Sequence, residues 1–359
     1  MTSPIIDGLR VHPLLVPMEV PHRTASGEIS ASPLVLLDLF TDCGIVGHAL
    51  IFTYTPAALQ PTAQLIKNIE PLIKGQLLDP AAIAASLSAR FRLLGTQGLV
   101  GMALAGIDMA CWDAQARHQS LPLYRLLGGR QATIPAYGAV GFDGEVGSAN
   151  AAESWAKQGF KGIKAKIGYP TVAEDVAVIR AMRKASGSGM AIMVDYNQSL
   201  SPTKAMERLR VLDGEGLTWV EEPTLTTDYR GMAAVARQSG IPIQCGENWW
   251  GTADMQLAID ASASNYVMPD VMKIGGVTGW LAAVQLATKN ELPMSSHLWP
   301  ELSARLLCCT PTAHWLEYMD WWSPVLKEPL QVIDGVAVVD EQLGSGLEWR
   351  QSTIEAYSV

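Results

Sequence analysis

The chain is poor in the features that mark secreted, membrane or nucleic-acid-binding proteins. Its 359 residues include only five cysteines (Cys43, Cys111, Cys245, Cys308 and Cys309), and no two of them form a C-x-x-C pair. That spacing argues against a disulfide framework or a zinc site and suits small buried thiols in a reducing cytoplasm, the expected location. Long apolar runs are missing too. The uncharged stretch from Leu93 to Ile107 is broken by glycines and falls short of a bilayer span. The beginning, MTSPIIDGLR, has no basic segment leading into an apolar one, so no secretory leader is expected. Positive charge is scarce: 26 Lys and Arg against 35 Asp and Glu give a net charge of −9, which disfavours nucleic acid or an anionic membrane as partner.

The remaining composition, 48% hydrophobic and 17% charged, is that of a soluble globular chain long enough for two structural units. From about residue 5 to 55 the pattern is strand, as in SPLVLLDLFTDCGIVGHALIF. From about 57 to 127 apolar residues recur at three-to-four spacing, as in LVGMALAGIDMACWDAQARH, and LLGGR closes the block. Residues 1–128 therefore read as an α+β unit. Strand–helix alternation follows over 129–320, where eight apolar runs end in polar residues: TIPAYGAV, GIKAKIG, AIMVDYN, LTWVEEP, IPIQCGEN, YVMPD, LPMSSHL and HWLEY. Eight such units predict a (β/α)8 barrel. Residues 321–359 contain further strand-like pieces, GVAVVD and GLEWR, which the pattern assigns to neither unit.

The polar run-ends keep phase. Lys164 to Asp195 spans 31 positions, Asp195 to Glu221 26, and Glu221 to Glu247 26; Asp270, His297 and Glu317 follow after 23, 27 and 20. One ionisable group at the same place in each repeat clusters them at the C-terminal mouth of a barrel, where active sites of this architecture lie. Asp195, Glu221 and Glu247 would repel one another there unless a cation neutralises them. Three carboxylates without His or Cys suit Mg²⁺, with Mn²⁺ as second choice.

Lys164 and Lys166 share one strand face, because residues i and i+2 point the same way. Each ammonium disfavours the other's protonation, so Lys166 is expected to have a lowered pKa and to serve as a base, while Lys164 stays charged and holds an anionic substrate group. A Schiff-base role is the rival reading. His297, with Asp270 fixing its tautomer, is a second acid/base group. Glu317, ending an apolar strand near other acids, is expected to have a raised pKa and to donate a hydrogen bond to a developing oxyanion. Glu222 points away from Glu221 and reads as a structural partner. Lys273 adds positive charge near the acids, and GGVTG (275–279) is a weak phosphate-cradle pattern. Two bases, a divalent cation and a proton donor fit removal of the proton beside a carboxylate through an enediolate.

The segments KAKIG, MVDYNQSL, WVEEPTL, GENWWG, MPDVMKIGGVTGW, MSSHL and TPTAHWLE, together with LLGG and the N-terminal LVLLDL, make the chain resemble the mandelate racemase group of the enolase superfamily nearly end to end. The resemblance implies metal ligation by Asp195, Glu221 and Glu247. It implies opposed bases Lys166 and His297, with Asp270 supporting His297. Lys164 and Glu317 would bind the substrate carboxylate, and Asn197 its α-hydroxyl side. It further implies an N-terminal unit capping the barrel mouth, a tail over 321–359 packing back on that cap, and a homo-oligomer, often an octamer. The family presents small apolar groups to an aryl ring from a flexible loop near residues 20–29. Here that segment reads VPHRTASGEI, which makes His22 and Arg23 polar substrate contacts, while the first barrel strand carries Ala139 and Val140. Phe52, Tyr54, Leu298 and Met319 supply an apolar component. The expected reaction is racemisation of a mandelate-like 2-hydroxy acid. Dehydration of an acid sugar, with His297 as general acid, is the alternative, and an aldolase or a non-catalytic barrel that binds sugar acids is a rival of another class.

Overall fold

The leucine- and valine-rich N-terminal runs form a long antiparallel meander. In this computed structural model, which describes residues 3–24 and 27–359, β1 (Ile6–Thr24) pairs with β2 (Gly27–Thr41), and β2 with β3 (Val46–Phe52). The expected loop near 20–29 is a hairpin on both sides of residues 25 and 26, which lie outside the described residues. A register irregularity separates Pro17 from His22, where prolines cannot donate to a ladder. Pairing then resumes as His22 opposite Ile29 and Arg23 opposite Glu28.

Three helices follow, α1 (Pro56–Ile73), α2 (Pro80–Arg90) and α3 (Gly98–His118); α1 and α3 pack on this sheet, and α2 packs against α3. Thr55 and Asp79 cap the first two, each followed by proline at the first helical position, where its missing N–H costs nothing. The sheet lies so close to α3 that a Cβ on Gly47 would sit 2.2 Å from Ala110 O. A short turn, α4 (Leu123–Leu126), ends the unit before the paired glycines.

The barrel follows in strict alternation: β4 (Ile134–Val140), α5 (Gly144–Lys157), β5 (Gly162–Lys166), α6 (Val172–Ser186), β6 (Ala191–Asp195) and α7 (Pro202–Leu212). It continues with β7 (Leu217–Glu221), α8 (Tyr229–Gln238), β8 (Ile243–Cys245), α9 (Thr252–Ala261), β9 (Tyr266–Val267), α10 (Gly276–Lys289), α11 (Pro300–Leu307) and β10 (Leu316–Tyr318). Strands β4 to β9 are parallel neighbours in order, and β10 pairs parallel with β4 to close the ring. The seventh stave, 293–297, is held by single bridges, Val267 to Met294 and Asp270 to His297 on one side and Met294 to Ala313 on the other. All eight predicted runs are staves of this (β/α)8 barrel. Tyr137, Met193 and Trp219, packed with Trp315, fill its interior as an aromatic floor.

The tail touches both units. The hairpin β11 (Gln331–Ile333) and β12 (Val336–Val338) joins the sheet at the start of β4, and α12 (Gln351–Tyr357) leads to a bridge between Ser358 and Leu14 of β1. Trp349 Nε1 donates to Asp38 Oδ1 (2.7 Å), and Ser345 N and Oγ donate to Asp113 Oδ1 (2.6 and 2.7 Å). Among the described residues, no helix is long and apolar enough to cross a membrane.

Candidate active site

The doublet of lysines finds its explanation at the end of β5. Lys164 and Lys166 do share the barrel face, but each ammonium has its own anions. Lys164 Nζ lies 2.6 Å from Glu221 Oε1 and 2.7 Å from Glu317 Oε1, above the ring of Tyr137. Lys166 Nζ donates to Asp195 Oδ2 (3.0 Å) and to Asn197 Oδ1 (2.7 Å). The expected depression of the Lys166 pKa is therefore corrected. Burial and Lys164 pull it down, but Asp195 and Glu247 outweigh them and its pKa is raised. Lys164 is raised further still, against its burial, by Glu221 and Glu317.

Asp195 ends β6, Glu221 ends β7 and Glu247 lies two residues beyond β8, so the repeat period delivers all three to one point. One carboxylate oxygen of each lies within 4.8 Å of the others, and all three side chains are buried. Packing these charges together perturbs them: burial, with Asp195 and Glu247 nearby, pushes Glu221 well up even though Lys164 opposes it. Glu247, despite burial, is held down at about 2 by His297 and the lysines. A buried all-oxygen set with unresolved repulsion fits a hard divalent cation. Asn197 Nδ2 and N both donate to Asp195 (2.7 Å each), fixing that carboxylate. Behind Glu247, Asn248 donates to Glu222 Oε2 (2.7 Å) and Glu247 Oε1 (3.1 Å) and accepts from Lys273 Nζ (2.8 Å). Glu222 is thus a buried partner of this network, pushed up to about 8 by burial and the neighbouring acids.

Across the mouth, His297 Nδ1 pairs with Asp270 Oδ2 (2.7 Å) and its Nε2 faces Glu247 Oε2 (3.2 Å). Asp270 Oδ1 accepts the N–H groups of Met272 and Lys273, so the dyad is rigidly seated. The cap adds Tyr54, whose role is polar as well as apolar: its hydroxyl donates to Asp270 Oδ2 (3.0 Å), and Lys273 Nζ lies 4.7 Å from its ring centre. Burial lowers the His297 pKa, but Glu247, Glu317 and Asp270 raise it overall. Glu317 is a second correction. Its pKa is lowered, not raised, because Lys164 and His297 overcome its burial. It is an ionised acceptor, taking the Leu298 N–H on Oε2 (3.0 Å).

These groups floor a cavity of about 830 Å³ roofed by the cap. Phe52, Tyr54, Leu298, Met319 and His22 line it, together with Ala139 and Val140. Arg23 does not, correcting its assignment as a substrate contact. Strand alternation turns it outward, where it pairs with Glu28 (3.3 Å) and reaches towards Asp143 (4.0 Å). Trp321 is a lining residue that the sequence reading missed. Its ring packs 4.9 Å from His22 and 5.3 Å from Phe52. The signal was present: a tryptophan pair directly after the eighth stave, at the end of the barrel where sites form. The GGVTG loop holds no anion site. Asp108 already occupies the start of α10, accepting from Thr278 N (2.9 Å) and Oγ1 (2.5 Å).

Comparison with known proteins agrees with this geometry. Residues 7–128 match the family described as "Mandelate racemase / muconate lactonizing enzyme, N-terminal domain", and residues 148–353 match "Enolase C-terminal domain-like". D-galactarolactone cycloisomerase of Agrobacterium fabrum is 30% identical over 98% of both chains. L-talarate/galactarate dehydratase of Salmonella typhimurium is 30% identical over 73% of this chain and 68% of its own. A Bradyrhizobium enolase structure, complexed with magnesium and mandelic acid, is 43% identical with a TM-score of 0.95, covering 100% of this chain and 99% of its own. Structural neighbours are solved with bound magnesium, and the acid set here matches that ion in its donor chemistry. With a mandelate racemase/muconate lactonizing enzyme cap closing an enolase-type barrel, the chain belongs to the enolase superfamily.

Proposed function

We propose that this protein removes the α-proton of a 2-hydroxy carboxylate and returns it from the other side, racemising a mandelate-like acid. The observation that supports this most directly is the pair of proton-transfer groups, Lys166 on the second stave and His297 on the seventh, each oriented by its own partner. Asn197 and Asp195 position the amine, and Asp270 with Tyr54 positions the imidazole. Two bases approaching one carbon from different sides permit exchange of either enantiomer. Asp195, Glu221 and Glu247 would hold Mg²⁺, which supplies positive charge that polarises the substrate carboxylate and offsets the acids beside Lys166. Neutral Lys166 takes the proton from one enantiomer, and the bond's electron pair passes into the enediolate of the carboxylate. Lys164 Nζ, already between Glu221 and Glu317, stabilises that developing negative charge. Protonated His297 completes the turnover from the opposite face. The apolar wall of Phe52, Leu298 and Met319 suits an aryl group, and the Bradyrhizobium neighbour carries mandelic acid.

Acid-sugar dehydration is the second reading, supported by the dehydratase relatives and by a histidine in the wall. In that case His297 protonates a departing 3-hydroxyl instead of the α-carbon. Proton NMR in deuterium oxide with Mg²⁺ separates the two. Loss of the α-proton signal without a new compound supports racemisation, and a 2-keto-3-deoxy product supports dehydration. Neither signal across a panel of hydroxy acids and acid sugars would reject proton abstraction.

A further inference from the structure

The cavity is electrically lopsided. Its three ammonium groups stand with the acids: Lys164 between Glu221 and Glu317, Lys166 on Asp195 and Asn197, and Lys273 on Asn248 and over Tyr54. The wall contributed by the cap and by the segment after β10 is different. Phe52, Met319 and Trp321 make it apolar and aromatic, and His22 is its buried polar side chain, 8% exposed. Glu28 at the rim is paired with Arg23 (3.3 Å), which lies outside the lining.

His22 stands in this wall without a hydrogen bond to either ring nitrogen among the described residues, and its Nε2 is fully buried. Trp321 holds the ring in place at 4.9 Å. Buried imidazoles are ordinarily partnered, so an unpartnered one lining a cavity marks a position that a ligand completes. Burial first, then Lys166 and Lys164, press its pKa down to about 3, against Glu317. At neutral pH it therefore offers one N–H donor and one lone pair, and no charge.

We propose that His22 sets the substrate class: a monocarboxylate whose remainder bears a neutral hydroxyl on an aryl group, rather than a second carboxylate. This rests on the proton-abstraction reading above and narrows it. The acid end of the substrate goes to the lysines and the metal-side groups, its ring lies against Phe52 and Trp321, and the ring hydroxyl meets His22. Among the described residues, a second carboxylate would find no cation lining this wall and a neutral imidazole where it needs charge.

Calorimetric binding to the Mg²⁺-loaded protein tests this with mandelate, ring-hydroxylated mandelates (3- and 4-hydroxy) and galactarate as probes. One added neutral hydrogen bond corresponds to roughly 3- to 10-fold tighter binding. The wild type should prefer one of the hydroxymandelates over mandelate by that factor and bind galactarate most weakly. His22→Phe should bring the hydroxymandelate-to-mandelate ratio to about one, and His22→Asn, which keeps a donor and an acceptor, should retain part of the preference. A ratio unchanged in His22→Phe, no preference in the wild type, or galactarate as the tightest ligand would overturn the assignment. Failure of the underlying reading shows separately, as absence of α-proton exchange with every acid whatever the binding order.

Discussion

Removing the divalent cation should lower the thermal stability of this protein by an amount that ligand linkage fixes. Three carboxylates whose oxygens lie within 4.8 Å of one another repel by about 3.5 kcal/mol per pair at an effective dielectric of 20. Lys164 and Lys166 offset that only in part, since each touches one of the three, Glu221 and Asp195 respectively. An ion that binds the folded chain and not the unfolded one adds about 2.7 kcal/mol at a hundredfold excess over its Kd. Unfolding 359 residues carries an entropy of about 0.75 kcal/mol/K, so saturating Mg²⁺ should raise Tm by about 4 °C. The assay is differential scanning calorimetry with EDTA and with a Mg²⁺ series. Glu221→Gln and Asp195→Asn remove one ligand charge each, and in both the Mg²⁺-dependent shift should fall below about 1 °C. A full shift in both variants would place the ion elsewhere and refute the assignment of the acid set.

Lys166→Ala and His297→Asn should each reduce racemisation by roughly 10²- to 10⁴-fold while leaving deuterium exchange from one enantiomer. NMR started from each enantiomer separately reads this, and exchange retained from both in both variants would reject the two-base scheme. Gly246 precedes Glu247 at φ +142°, and a Cβ there would lie 2.9 Å from Met268 N. Gly246→Ala should therefore cost about 1–3 kcal/mol and weaken Mg²⁺ binding in a calorimetric titration; if both are unchanged, the backbone there is not restrained. His22 titrates near 6.5 when unfolded but only near 3 when folded, so its contribution to stability is present above pH 6.5 and is lost as the pH falls towards 3. Between pH 6.5 and 5 the wild type should lose about 2 kcal/mol more than His22→Phe in urea denaturation. Equal losses would show that the imidazole is not held neutral.

The barrel was legible because its strands are covered on both faces and read as unbroken apolar runs. The acids were legible because the repeat itself sets their phase. What the linear pattern conceals is charge balance. Lys164 and Lys166 are two positions apart in sequence, but their ionisation depends on Glu221, Glu317 and Asp195, which lie 29 to 153 positions away. Lys164 and His297 keep Glu317 ionised where burial alone predicts a raised pKa. The register irregularity after Pro17 settles which of His22 and Arg23 faces inward, and no local propensity encodes that. The seventh stave forms single bridges rather than a ladder, yet its run LPMSSHL was readable from hydrophobicity alone.

The tail has a consequence for biosynthesis. Asp38 and Asp113 emerge from the ribosome early, yet their partners Trp349 and Ser345 are more than two hundred residues downstream. Ser358 reaches Leu14, and Gln60 donates to the carbonyl of Val359 itself (2.9 Å). The cap is thus completed by residues 345–359, through contacts of very high sequence separation that form slowly. Until residues 345–349 are made, among the described residues Asp38 keeps only its cap partners His12 and His48, and Asp113 only His48 N and Arg117. A change confined to residues 345–359 therefore acts on the cap, the unit farthest from it in sequence.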